Sequence, residues 1–147
     1  MGNSTVFDVA KYILHQIGEL TTMKLQKLVY YCQAWSLVWD DGEPLFSDRI
    51  EAWANGPVIP TLYNVHKGRY CVNEHFFHQG NIDNLSSEQK ETIEKVVDFY
   101  GKRSPQWLSD LTHNEEPWRI ARKGIPEGER GSSEITLESM AEYYERL

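Results

Sequence analysis

Apolar residues recur at helical spacing from the start of the chain. Val6, Phe7, Val9, Ala10, Ile13, Leu14 and Ile17 follow the polar Asn3-Ser4-Thr5, and Gly18 supplies a stop. Thr21 or Thr22 then caps a second helix carrying Met23, Leu25, Leu28, Val29, Cys32, Trp35 and Leu37, expected to run to about Val38. Its apolar stripe is wide, which places this helix near the centre of the domain. Asp40-Asp41-Gly42-Glu43-Pro44 reads as a turn, and Leu45-Phe46 anchors the chain again. Arg49 to Trp53 alternates polar and apolar residues, as a short strand does. Asn55-Gly56-Pro57 reads as a turn with a positive φ at Gly56, and Pro60 opens a helix through Leu62, Tyr63 and Val65 that ends at Gly68. Tyr70-Cys71-Val72 is expected to pair with the Arg49–Trp53 strand as a small ribbon.

The second half is more strongly punctuated. Gly80 to Asn84 reads as loop, and Ser86-Ser-Glu-Gln89 as a capping box for a helix through Ile93, Val96, Val97 and Tyr100. Ser104-Pro105 is a cap followed by a first-turn proline, and Trp107, Leu108 and Leu111 give the next helix its face. Pro117 to Arg122 reads as a short helix, and Gly124 to Ser133 as a mobile loop rich in Gly, Pro and charge. Thr136 caps a last helix with Leu137, Met140, Ala141, Tyr144 and Leu147 on one side. The expectation is a mainly α fold: residues 1–147 as a single compact helical domain of about six to seven helices with a small two- or three-stranded β element.

Composition narrows the class. A chain of 147 residues sits at the mode for one domain, and 40% hydrophobic with 12% aromatic residues argues for a folded globule. The net charge of -7 disfavours a phosphate-tracking surface, so nucleic acid is an unfavoured partner. Cys32 and Cys71 lie in different segments without CxxC spacing, as in a reduced cytosolic protein. The Met-Gly-Asn-Ser-Thr start has neither a basic nor an apolar leader region, and no apolar run approaches ~18 residues. The expected location is cytoplasmic, with no membrane contact.

Candidate chemistry is thin. Cys71, His75 and His78 are spaced C-x3-H-x2-H, but a zinc site needs a fourth converging ligand, so no metal and no cofactor is expected. His113, near Asp110, Glu115 and Glu116, could be drawn as a base with an orienting carboxylate, though no activated nucleophile is readable beside it. Closing its helix end by hydrogen bonds is the preferred role. Tyr30, Tyr31 and the five Trp residues fall mostly at helical spacing and read first as core. Lys24 and Lys27 lie three apart on one helical face, either as a solvated edge or as a cationic rim around a protein-binding groove.

Three islands stand out because each mixes large aromatics with turn-formers: Thr21 to Tyr31, Arg49 to Pro60, and Leu111 to Trp118. With Val9-Ala-Lys-Tyr-Ile, Leu45-Phe46, Tyr63, Ala121-Arg122, Ile135-Thr136, Met140 and Tyr143-Tyr144, these islands resemble, in order and over nearly the whole chain, the Panacea or SocA-like antitoxin family, long labelled phage-associated proteins. About Asn73 to Asn84 is where the family is expected to vary. The resemblance implies a non-enzymatic antitoxin of a bacterial or prophage toxin–antitoxin pair that neutralises a cognate toxin by direct contact. Some members look like adaptors that hand the toxin to a protease.

The expected shared surface is Lys24, Lys27, Tyr31, Trp53, Asn55, Pro57, Tyr63, His113, Trp118 and Arg122. The acidic balance suits a basic toxin, because complementary charge speeds encounter. Two other readings remain open: a DNA-binding autorepressor, disfavoured by the lack of an evident basic helix-turn-helix, and a small hydrolase using His113.

Overall fold

The computed structural model describes residues 4–147; the Met1–Asn3 start, on which the expectation of no leader partly rests, lies outside the described residues. Helix α1 (Val6–Ile17) is opened by a capping box in which Thr5 accepts from the Asp8 amide and Asp8 accepts from that of Thr5. Gly18, at φ 103°, closes it in a conformation that suits a residue without Cβ. A two-residue strand β1 (Leu20–Thr21) leads into α2 (Thr22–Trp39), where the Thr21 hydroxyl accepts from the Lys24 amide. Every residue from Leu25 to Ala34 is buried, so α2 is the central helix. It packs against α1, against β3 (Gly56–Val58), and against three later helices: α4 (Ser87–Tyr100), α5 (Pro105–His113) and α7 (Leu137–Glu145).

Two glutamines on α2, seven residues apart, do work that apolar neighbours could not. Gln33 accepts from the Leu45 amide at 2.7 Å and donates to the Phe46 carbonyl at 2.8 Å. Gln26 accepts from the Ile59 amide at 2.9 Å and donates to the Ile59 carbonyl at 3.4 Å. Irregular backbone on either side of β2 (Ile50–Trp53) is thereby buried without orphaning its polar groups.

The remaining elements are α3 (Pro60–His66), β4 (Cys71–Val72), two 3-10 turns at Glu74–Phe76 and Ile82–Asn84, α6 (Glu116–Ala121) and β5 (Glu134–Ile135). Ser86, Ser104 and Thr136 cap α4, α5 and α7 as their sequence contexts predict.

The sheets differ from the expected ribbon. Cys71–Val72 does not pair with β2; it pairs antiparallel with Leu20–Thr21. Both edges of β2 are already taken, by β3 and by β5, in the order β3-β2-β5. The turn is also displaced by one residue. Ala54 and Asn55 form it, while Gly56, at φ 124°, and Pro57 already belong to β3, opposite Trp53 and Ala52. Pro57 is tolerated because β3 is an edge strand. The Gly124–Ser133 segment, expected as a mobile loop, follows a defined path: the Arg122 guanidinium donates to the Pro126 and Glu129 carbonyls at 3.2 and 2.7 Å.

Candidate binding cleft

The β2–β3 hairpin is held by a row of side chains that meet four consecutive carbonyls. Arg122 donates to Ala52 O at 3.3 Å, and Trp118 Nε1 to Trp53 O at 2.8 Å. His113 Nε2 lies 2.9 Å from Ala54 O, and the Ser109 hydroxyl donates to Asn55 O at 2.9 Å. A tight turn leaves its carbonyls unpaired within the hairpin, and here α5 and α6 supply partners for them. Two of these four side chains, His113 and Trp118, belong to the Leu111–Trp118 island, which thus contacts the Arg49–Pro60 island directly. His113 and Trp118 also pack ring to ring, 4.0 Å between centroids.

From the other side, α2 supports the same hairpin. Lys27 is 2% exposed and passes beneath Gly56, where an added Cβ would lie 2.6 Å from its Cε and 3.2 Å from its Nζ. Desolvation pushes the Lys27 ammonium down to about 8. Gln26 Nε2 also approaches His66 Nε2 at 3.0 Å. Because the Gln26 oxygen accepts from Ile59 N, its amide nitrogen faces the ring, so His66 Nε2 is the acceptor and Nδ1 carries the proton. His66 Nδ1 is, among the described residues, the one fully enclosed side-chain polar atom without a partner, and burial lowers the pKa of the ring.

Together these parts border a cleft of about 640 Å³. Its lining runs from the first turns of α2 (Thr22, Met23, Gln26, Lys27) to the hairpin (Trp53, Ala54, Asn55, Val58), α3 (Tyr63, His66) and the Arg130–Ser132 loop. Trp53 and Tyr63 meet edge to face, 4.9 Å apart at 67°. Glu51, the sole acidic lining residue, is fully engaged: Arg49 Nε donates to one oxygen and Trp53 Nε1 to the other, each at 2.9 Å. Arg49 also donates to Ser132 O at 2.9 Å and to Glu134 at 3.3 Å, fixing the loop at the cleft edge.

Behind the cleft lies a buried polar cluster. Glu115 accepts from Tyr31 at 2.8 Å and from Tyr144 at 2.6 Å, and Tyr144 meets the Tyr30 hydroxyl at 3.0 Å. Burial raises the Glu115 pKa, against the opposing effect of the two tyrosine hydrogen bonds. Tyr31 stacks on Tyr100 with centroids 4.2 Å apart. The Tyr30-Tyr31 pair is therefore core, joining α2 to α6 and α7.

The ten expected surface residues divide by depth. Lys27, Trp53, Asn55 and Tyr63 line the cleft, Asn55 exposed and the two aromatics half-buried. Lys24 is half-buried on the same helix but outside the lining. Tyr31, Pro57, Trp118 and Arg122 are buried, and His113 is half-buried against the hairpin, so these five hold the site from beneath instead of forming its surface. The physical reason is common to them: each spends its polar group or its ring on the hairpin or the tyrosine cluster. Lys27 is likewise no rim residue, being buried at the cleft wall.

Gln26, Glu51, His66 and Arg130 belong to the cleft and were not singled out by sequence. Only Gln26 carries a signal that could have found it, as a polar residue at a buried position seven before Gln33. The hydrolase geometry is not assembled: both His113 ring nitrogens face main-chain carbonyls, of Ser109 at 2.5 Å and Ala54 at 2.9 Å, and Glu115 turns to the tyrosines. Among the described residues, no three His, Cys, Asp or Glu side chains converge as metal ligands would, and no helix is long and apolar enough to cross a membrane.

The fold and cleft define a small helical domain that braces a hairpin-edged recess from two sides. The family described as Antitoxin SocA-like, Panacea domain, matches residues 25–119, from α2 through most of α6, and the chain belongs to that family. No curated protein and no solved structure matches the chain.

Proposed function

We propose that this chain neutralises a toxin protein by binding it directly, with the cleft and the β2–β3 hairpin as the contact face. The observation that carries the reading is the family match, which spans the hairpin and three of the four residues that grip it, Ser109, His113 and Trp118. Trp53 and Tyr63 supply rigid aromatic anchors at the centre of such a face, and Asn55 an exposed polar group at its edge. Neutralisation needs a slowly dissociating complex, and a preformed, braced recess lowers the ordering cost of forming one. The net charge of -7 favours encounter with a basic partner. The chain acts by occupancy and not by turnover, in the cytoplasm, as one half of a bacterial or prophage pair; delivery of the bound toxin to a protease is a further part of this reading.

The test is co-expression with the product of the neighbouring reading frame. A neighbour that arrests growth alone, is harmless beside this chain and co-purifies with it is the expected result. A toxic neighbour that is neither rescued nor bound contradicts the proposal.

A further inference from the structure

Lysine ammonium groups are rarely buried without a partner, because removing the charge from water is costly unless a counter-charge or acceptors replace the hydration. Lys27 breaks that rule. It is 2% exposed, lines the cleft, and has no hydrogen bond or ion pair among the described residues, and its Nζ is not fully enclosed, so the charged end opens on the cleft. Neighbouring cations are treated differently: Arg49 meets Glu51 and Glu134, and Arg122 meets three carbonyls. The one carboxylate in the lining, Glu51, is already shared between Arg49 and the Trp53 indole, so it is not free to turn toward Lys27.

Further positive potential converges on the same recess. Arg130 stands in the lining without an ion pair among the described residues, and the lining includes Thr22 and Met23 from the first turn of the 18-residue helix α2, its positive end. Gly56, having no Cβ, lets the lysine stem pass close beneath the hairpin. The rest of the wall is aromatic or apolar: Trp53, Tyr63, Met23 and Val58. Desolvation holds the ammonium down at about 8, the direction a partnerless cation takes.

We infer that the cleft is a receptor for a carboxylate on an apolar or aromatic stem, presented by the partner protein as an acidic side chain or a chain terminus and seated on Lys27 with Arg130 at the edge. This rests on the toxin-binding reading for the source of the carboxylate, but not for its chemistry. A single buried ammonium matches one negative charge, and the apolar wall matches an organic stem better than a hydrated inorganic anion.

The experiment is an NMR titration of the full chain with 3-phenylpropionate, its neutral amide, and inorganic phosphate. The carboxylate is expected to shift the Trp53 indole and Lys27 side-chain resonances to saturation, with the amide and phosphate far weaker. Lys27→Met is expected to weaken the carboxylate at least about tenfold, as loss of a charge-assisted hydrogen bond does. Arg130→Ala, at an exposed position that does not endanger folding, is expected to weaken it about threefold. Equal binding of the amide or of phosphate, or undiminished binding by folded Lys27→Met, overturns the inference. A second arm measures toxin affinity and growth rescue with the same variants. Rescue by the wild type with affinity unchanged in Lys27→Met leaves the toxin reading standing and overturns a partner carboxylate in the cleft. Lys27-dependent binding of the probe by a chain that rescues no toxin supports the carboxylate site, assigns its source to a free organic acid, and removes the toxin reading instead.

Discussion

The Lys27 side chain runs directly under Gly56: a Cβ placed on that glycine would sit 2.6 Å from Lys27 Cε, in a backbone conformation of φ 124° that L residues rarely adopt. Two separable penalties follow for Gly56→Ala, backbone strain and collision with the lysine. Together they are expected to cost about 2–4 kcal/mol in urea unfolding. Combining Gly56→Ala with Lys27→Ala is expected to recover the collision part alone, so that the double variant is more stable than the sum of the single losses predicts. Strict additivity would show that the two residues do not share the space.

Lys27 is also expected to be a stability cost that the fold tolerates. Its pKa is lowered from 10.5 to about 8. Between those values the unfolded chain holds a proton that the folded chain has released, so stability rises with pH across that window and is flat below it. At neutral pH the penalty is on the order of 3 kcal/mol. Lys27→Met is therefore expected to be more stable than the wild type at pH 7, with the difference shrinking as pH rises from about 8 toward 10.5; tyrosine ionisation is common to both chains and drops out of the comparison. A less stable Lys27→Met at pH 7, or a pH-independent difference, would refute a buried, partnerless ammonium.

Much of the fold was legible because helix ends carry local chemistry. Ser86, Ser104 and Thr136 cap where their sequence contexts place them, since a side-chain oxygen before a helical run has one nearby set of amides to serve. The strands were less legible. Leu20–Thr21, Cys71–Val72 and Glu134–Ile135 are each two residues long, too short to show a period, and their pairing depends on which edges other segments leave open. Within the site, the aromatic hairpin was readable but its depth was not. Nothing near Trp118 or Arg122 in sequence says that they serve the carbonyls of residues 52 and 53. Lys27, three residues from Lys24 on a helix face, has the local signature of a solvated lysine, and nothing in that signature shows that Gly56, distant in sequence, packs against it.

Gln26 couples the central helix to the cleft. Gln26→Ala would leave the buried Ile59 amide without its partner, while the Ile59 carbonyl keeps the Tyr63 amide, at an expected cost of about 1–3 kcal/mol in thermal or urea unfolding. The same contact assigns His66 to the neutral form protonated at Nδ1, which ring-nitrogen chemical shifts can check. Burial lowers the His66 pKa from 6.5, so as pH falls through that value the unfolded chain takes up a proton that the folded chain refuses. The His66 contribution to stability is thus present above pH 6.5 and lost below it, and His66→Gln is expected to flatten that acid limb.

Arg122 organises the loop that edges the cleft. Arg122→Ala removes donors from Ala52, Pro126 and Glu129 together. Amide exchange in residues 124–133 is expected to accelerate at least about tenfold, as local opening becomes less costly. Exchange in α4, remote from this contact, is expected to change little. Uniform acceleration across the chain would instead mean that Arg122 supports global stability without ordering the loop.

The central claim is that a toxin is gripped at the hairpin-edged cleft. The most direct measurement is an amide-exchange footprint of the purified chain with and without its bound toxin. Protection concentrated in residues 50–58, in Pro60–His66 and in residues 130–132 is the predicted result. Protection confined to the outer face of α4, with the hairpin exchanging as in the free chain, would contradict it.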